Sequence, residues 1–73
     1  GMTLNQLHPG QTGVIRGVCG QDALHKRLLE MGLTPGTRVT VTRAAPFGDP
    51  IEVWVRGYAL SLRRKEAARI ELI

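Results

Sequence analysis

Two turn segments cut this chain into short pieces and dictate how those pieces can meet. The first, Met31-Gly32-Leu33-Thr34-Pro35-Gly36-Thr37, follows an apolar periodic stretch and precedes an alternating one. Glycine at position 32 suits a helix end, because it adopts the left-handed conformation without a Cβ clash. Pro35 presets the first dihedral of the next turn, and Gly36 is free to take positive φ. The segment reads as a helix that stops, turns and launches a strand. The second, Ala45-Pro46-Phe47-Gly48-Asp49-Pro50, is stiffened by two prolines and reads as a loop between two strands. Within 73 residues these two segments leave room for one domain, expected over residues 2–73.

The pieces between the turns have distinct periods. Thr3 to Leu7 suits a single capped helical turn, and Pro9-Gly10 a turn. Thr12 to Val18 is β-branched, and its interior glycines suggest a bend or a close backbone approach. Asp22 suits a helix N-cap, its carboxylate accepting from unpaired first-turn N–H groups. From Ala23 to Met31, spacings of four and three place Leu24, Leu28 and Met31 on one helix face. Leu29 falls outside that stripe and is expected at the surface. Arg38 to Arg43 alternates, with Val39 and Val41 to one side. Ile51 to Val55 alternates again, with Ile51, Val53 and Val55 inward and Glu52 and Trp54 outward. Gly57 breaks that strand, and Tyr58 to Leu62 starts another. Arg63 to Ala68 allows about one helical turn, and Arg69 to Ile73 is a last strand. The spacing predicts a mainly β fold: a small SH3-like five-stranded barrel with one α-helix after the first strand. Closing the sheet hides the strand edges of so small a β domain.

Composition narrows the function. The single cysteine, Cys19, excludes an internal disulfide and fits a reducing, cytoplasmic setting. No stretch approaches the apolar length of a membrane span, no signal peptide is visible, and Gly1 reads as a cloning remnant. The net charge is +4, but the basic residues are scattered. Their one cluster, Arg63-Arg64-Lys65, suits a solvated turn or peripheral contact with an acidic membrane surface. Nucleic acid is not an expected partner.

No nucleophile motif surrounds His8, Cys19, His25 or Ser61, and no phosphate-binding P-loop is present, so no enzymatic activity is expected. Asp22 and His25 lie at i and i+3 on the helix, and a carboxylate with an imidazole suits Fe²⁺ or Zn²⁺. His8 or Glu52 could add a ligand if the fold brings one near. The plainer reading makes Asp22 a cap and His25 an exposed helix residue. No cofactor is required; a weak divalent-metal site completed by a second molecule would give a metal-bridged oligomer. Three apolar residues suit partner binding: Phe47 at the tip of the proline-framed loop, Trp54 on an outward strand face, and Leu29 on the helix.

Four segments together resemble the FeoA family of ferrous-iron transport accessory proteins. They are Leu7-x-Pro9-Gly10; Arg27-Leu28-Leu29-Glu30-Met31-Gly32-Leu33-Thr34-Pro35-Gly36; Ala45 to Pro50; and Arg56-Gly57-Tyr58-x-Leu60-Ser61-Leu62-Arg63 with Glu66-Ala67. The resemblance runs from Leu4 to Ile73. It implies an SH3-like domain that docks on FeoB, a membrane ferrous-iron transporter with a cytoplasmic GTP-binding domain, and modulates Fe²⁺ uptake. The same domain type forms the C-terminal part of DtxR-type iron-dependent repressors. That second home implies an alternative, a metal-binding regulatory or sensor domain that docks on another protein such as a repressor.

Overall fold

The computed structural model describes residues 1–73. A 3-10 turn over Leu4–Gln6 leads into β1 (Thr12–Val18), α1 (Ala23–Glu30), β2 (Arg38–Ala44), β3 (Ile51–Val55), β4 (Tyr58–Leu62), α2 (Arg64–Ala67) and β5 (Ile70–Leu72). The five strands form one antiparallel sheet in the order β4-β3-β2-β1-β5. This is the SH3-like arrangement that the strand spacing predicts, with the helix after the first strand.

Strand β1 serves both ends of the curl. Thr12 to Val14 pair with β2, and Ile15 to Val18 pair with β5, with Arg16 as the extra residue of a bulge. A bulge bends its strand and increases its twist, which is how one strand reaches both neighbours. Gly13 explains the close approach suggested by the interior glycines. A Cβ built there would lie 2.8 Å from Leu72 Cδ1 and 3.5 Å from Leu7 Cδ1.

The barrel closes by packing at one seam. β4 and β5 are not hydrogen-bonded to each other; α2 carries the chain between them. Leu62 of β4, Ala67 of α2, and Ile70 and Leu72 of β5 all join the same core. The outer edge of β5 meets the N-terminal segment, through a Thr3–Glu71 bridge and a 2.8 Å bond from Leu72 N–H to the Met2 carbonyl.

The core is aliphatic. Leu28 and Leu33 from α1 and its exit pack with Val39, Val41, Ile51, Val53 and Val55 from β2 and β3. The inward and outward sides of these strands follow the alternation, with one departure. Thr42 is the extra residue of a second bulge, between Val41 and Arg43. Beyond it the alternation resets, so Thr42 and Arg43 both face solvent.

Candidate functional site

Three surface features carry side chains capable of binding. The first is the start of α1. Asp22 caps the helix, accepting from the His25 backbone N–H at 3.2 Å. The same carboxylate is gripped by Arg69, with Nη2 to Oδ1 at 2.6 Å and Nη1 to Oδ2 at 3.3 Å. The Arg69 guanidinium beside it, helped by the cap hydrogen bond, pulls the Asp22 carboxyl down from 3.8 to about 2. Arg69 also donates from Nε to the Cys19 carbonyl at 3.0 Å and lies over Gly20, where any Cβ would collide with the guanidinium. His25 Nδ1 stands 3.0 Å from the Val18 carbonyl oxygen. A carbonyl only accepts, so Nδ1 carries the proton and Nε2 is left as the acceptor. Asp22 and His25 line an open depression with Val18, Gly20, Gln21, Ala23 and Lys26. Nearby, hydrogen bonding to the Glu71 carboxylate pushes the exposed Cys19 thiol up, away from a reactive thiolate.

The second feature is the β2–β3 loop and its tip. Phe47 is 100% exposed. Its loop is nonetheless tightly held: Gly48 N–H bonds the Ala45 carbonyl at 2.7 Å, and Ala45 N–H bonds the Pro50 carbonyl at 2.9 Å. The Asp49–Pro50 peptide is cis. Arg64 braces the loop from α2. Its Nε donates to the Gly48 carbonyl, its backbone N–H to Asp49 Oδ1 at 3.0 Å, and its Nη1 to the Asn5 carbonyl at 2.6 Å. This corrects the reading of Arg63-Arg64-Lys65 as three solvated charges. Arg64 is half-buried and structural, and only Arg63 and Lys65 are exposed. The carboxylate of Glu66 is buried, accepting from Arg63 N–H at 2.8 Å and pairing with Arg27.

The third is the outer face of the sheet. Trp54 lies between Thr40 on β2 and Ala59 on β4, and is 51% exposed. Thr12 continues the row, its hydroxyl 2.8 Å from that of Thr40. Small neighbours on both sides leave the indole uncovered. Tyr58 does not cover it either: paired with Val55, it sits at the rim of the inward side, and its hydroxyl donates to the Met31 carbonyl at the end of α1. Leu29 is half-buried, so it offers only a partial apolar surface. Phe47 lies beyond the Ala44–Ile51 end of the β2–β3 ladder, and Trp54 lies toward the opposite hairpin turn. The structure does not gather Leu29, Phe47 and Trp54 into one patch.

A FeoA domain family model matches residues 2–73. The chain belongs to the FeoA domain family. A fusion of Fe(2+) transport protein A with the Fe(2+) transporter FeoB from Porphyromonas gingivalis is 44% identical over 71 residues, 97% of this chain. The chain spans only 8% of that fusion. Among solved structures, a FeoA-like protein from Clostridium acetobutylicum superposes with a TM-score of 0.93 at 33% identity, covering 100% of this chain and 85% of that one. FeoA from Stenotrophomonas maltophilia, an SH3 domain protein complexed with zinc, gives 0.88 at 31% identity, covering 100% and 91%. A manganese-dependent transcriptional repressor gives 0.86 at 19% identity and shares the fold alone.

The zinc in that FeoA relative puts the Asp22–His25 pair to the test. His25 Nε2 is free, and its Nδ1–H on a carbonyl is the orientation that metal-binding imidazoles use. Asp22 is not free: both its oxygens are engaged by Arg69, and a cation brought there would meet the guanidinium charge. No group of three His, Cys, Asp or Glu side chains converges anywhere in the chain, so neither His8 nor Glu52 completes a set. The donors do not fit a resident metal. Arg69 is the residue that sequence reading did not connect to this site. It lies 47 positions from Asp22, and no local pattern joins them.

Proposed function

We propose that this FeoA-family domain docks on a FeoB-type membrane ferrous-iron transporter at the cytoplasmic face and modulates Fe²⁺ uptake. The observation that carries this reading is the Porphyromonas gingivalis relative, in which a sequence 44% identical to this chain belongs to one polypeptide with the transporter. Fusion holds two modules at high effective concentration, which favours even a weak mutual contact. No helix here is long and apolar enough to cross a membrane.

The role is binding rather than catalysis. Trp54, half-exposed on a face of threonines and alanine, supplies the protein anchor, since interface energy concentrates on a few large aromatic side chains. Leu29 adds a smaller apolar contact on α1. Modulation follows if the domain binds one conformation of the transporter, or one nucleotide state of its GTP-binding domain, more tightly than another. A ligand shifts an equilibrium only by its differential affinity.

The test is a binding assay between this protein and the full-length transporter in detergent, with GTP, with GDP and with neither. Binding that changes with nucleotide supports the reading. Absence of binding in every state removes it.

A further inference from the structure

The β2–β3 loop presents a fully exposed phenylalanine on a rigid mount, and the docking reading above makes no use of it. Phe47 is 100% exposed, whereas the other aromatics, Trp54 and Tyr58, are partly covered. Two hydrogen bonds across the loop and two from Arg64 hold the segment in place, and a third from Arg64 ties it to the Asn5 carbonyl. A loop already ordered loses little conformational freedom when its tip is bound.

The exposed charges around this tip are mostly basic, with Arg43, Arg63 and Lys65 against the exposed carboxylate of Asp49. Arg43 is turned outward by the Thr42 bulge, and Arg63 and Lys65 flank the brace formed by Arg64. None of these three makes a salt bridge; the two in the protein are Arg27–Glu66 and Arg69–Asp22. The carboxylates at this end each accept a hydrogen bond within the fold, and only Asp49 stays exposed. Asp49 accepts from Arg64 N–H, Glu52 from the Thr42 hydroxyl at 3.2 Å, and Glu66 from Arg63 N–H and Arg27.

We propose that the β2–β3 loop is a membrane-contact tip, with Phe47 entering the headgroup region of an anionic bilayer and Arg43, Arg63 and Lys65 lying against its phosphates. The charge pattern favours lipid over a protein pocket. Protein interface cores are depleted of charged residues, and their aromatic anchors sit within a wider apolar surface. A lone exposed aromatic, with an excess of basic side chains at the same end of the domain, matches the pairing of apolar insertion with attraction to anionic lipid. One aromatic and three charges give weak, reversible contact. It would orient the domain on the membrane without anchoring it. The proposal does not depend on which protein the domain docks on.

The experiment is sedimentation of the protein with vesicles of phosphatidylcholine alone and of an equal mixture of phosphatidylcholine and phosphatidylglycerol, at low and high salt. The expected result is binding to the mixed vesicles only, weakened by salt. Phe47→Ser should weaken it about tenfold, the equivalent of removing a partly inserted phenylalanine. The double variant Arg63→Gln/Lys65→Gln should weaken it about fivefold per charge. Both variants alter exposed side chains, and an unchanged thermal midpoint confirms that they fold. Absence of binding to the mixed vesicles, or binding indifferent to both variants, overturns the proposal. If Phe47→Ser leaves vesicle binding intact but abolishes binding to the detergent-solubilised transporter, Phe47 is a protein anchor and the lipid reading fails.

Discussion

Arg56 Nε donates to the Gly32 carbonyl at 3.1 Å, fastening the β3–β4 turn onto the end of α1. The same guanidinium reaches the hydroxyls of Thr34 at 2.7 Å and Thr37 at 2.9 Å, so a single side chain gathers the whole α1–β2 turn. It does so from a strained backbone. Arg56 has φ 51 and Gly57 has φ 87, the two positive values of a two-residue hairpin of the I′ kind. Two substitutions separate the strain from the latch. Arg56→Ala keeps the strain and loses the bonds, and should cost about 1–2 kcal/mol. Arg56→Gly loses the same bonds but relieves the left-handed conformation, and should be about 1 kcal/mol more stable than the alanine variant. Chemical denaturation of the two variants checks the order.

The Asp22–Arg69 pair makes stability depend on acid. The carboxyl of Asp22 sits at about 2 in the folded protein against an ordinary 3.8. A lowered folded value means that the pair's contribution is fully present above the ordinary value and fades as pH falls from there through about 2. Asp22→Asn keeps a competent N-cap but removes the titration. The wild-type thermal midpoint should therefore fall more steeply below pH 3.8 than that of the variant.

Two neighbouring arginines should behave differently. Arg64→Ala leaves the carbonyls of Gly48 and Asn5 without their donors and frees the Phe47 loop. It should cost about 1–3 kcal/mol. Arg63→Ala removes an exposed guanidinium with no side-chain hydrogen bond and should stay within about 0.5 kcal/mol of wild type. Urea unfolding of both variants tests whether the basic run is one charge cluster or a brace between two free charges.

Gly13→Ala should destabilise by about 1–3 kcal/mol, because the new methyl overpacks against Leu72. The cost should shrink in a Leu72→Ala background, a coupling that a double-mutant cycle measures.

The strands and helix were legible because their signals are local. Val39 and Val41, Ile51 to Val55, and Leu24 with Leu28 and Met31 each show their period within a few residues. The Thr42 bulge was not, since a single extra residue leaves the alternation of Arg38 to Arg43 intact on paper. Asp22 was legible as a cap, because the capping partner lies three residues on. Its capture by Arg69 was not, nor was the burial of Glu66 beside Arg27, because those partners meet only after the barrel closes. Arg56-Gly57 carried an unused hint. The I′ turn that two-residue hairpins favour gives the residue ahead of the glycine a positive φ as well.

Docking through the sheet face can be measured by titrating the protein into the full-length FeoB-type transporter, as wild type and as Trp54→Ala. Trp54 is half-exposed, so the substitution should cost about 1–2 kcal/mol of stability, and a thermal melt checks that the variant stays folded. Wild type should bind saturably and Trp54→Ala at least tenfold more weakly, as for an aromatic interface anchor. Equal binding by both proteins would contradict the sheet face as the contact. No binding by the wild-type protein would contradict the docking function itself.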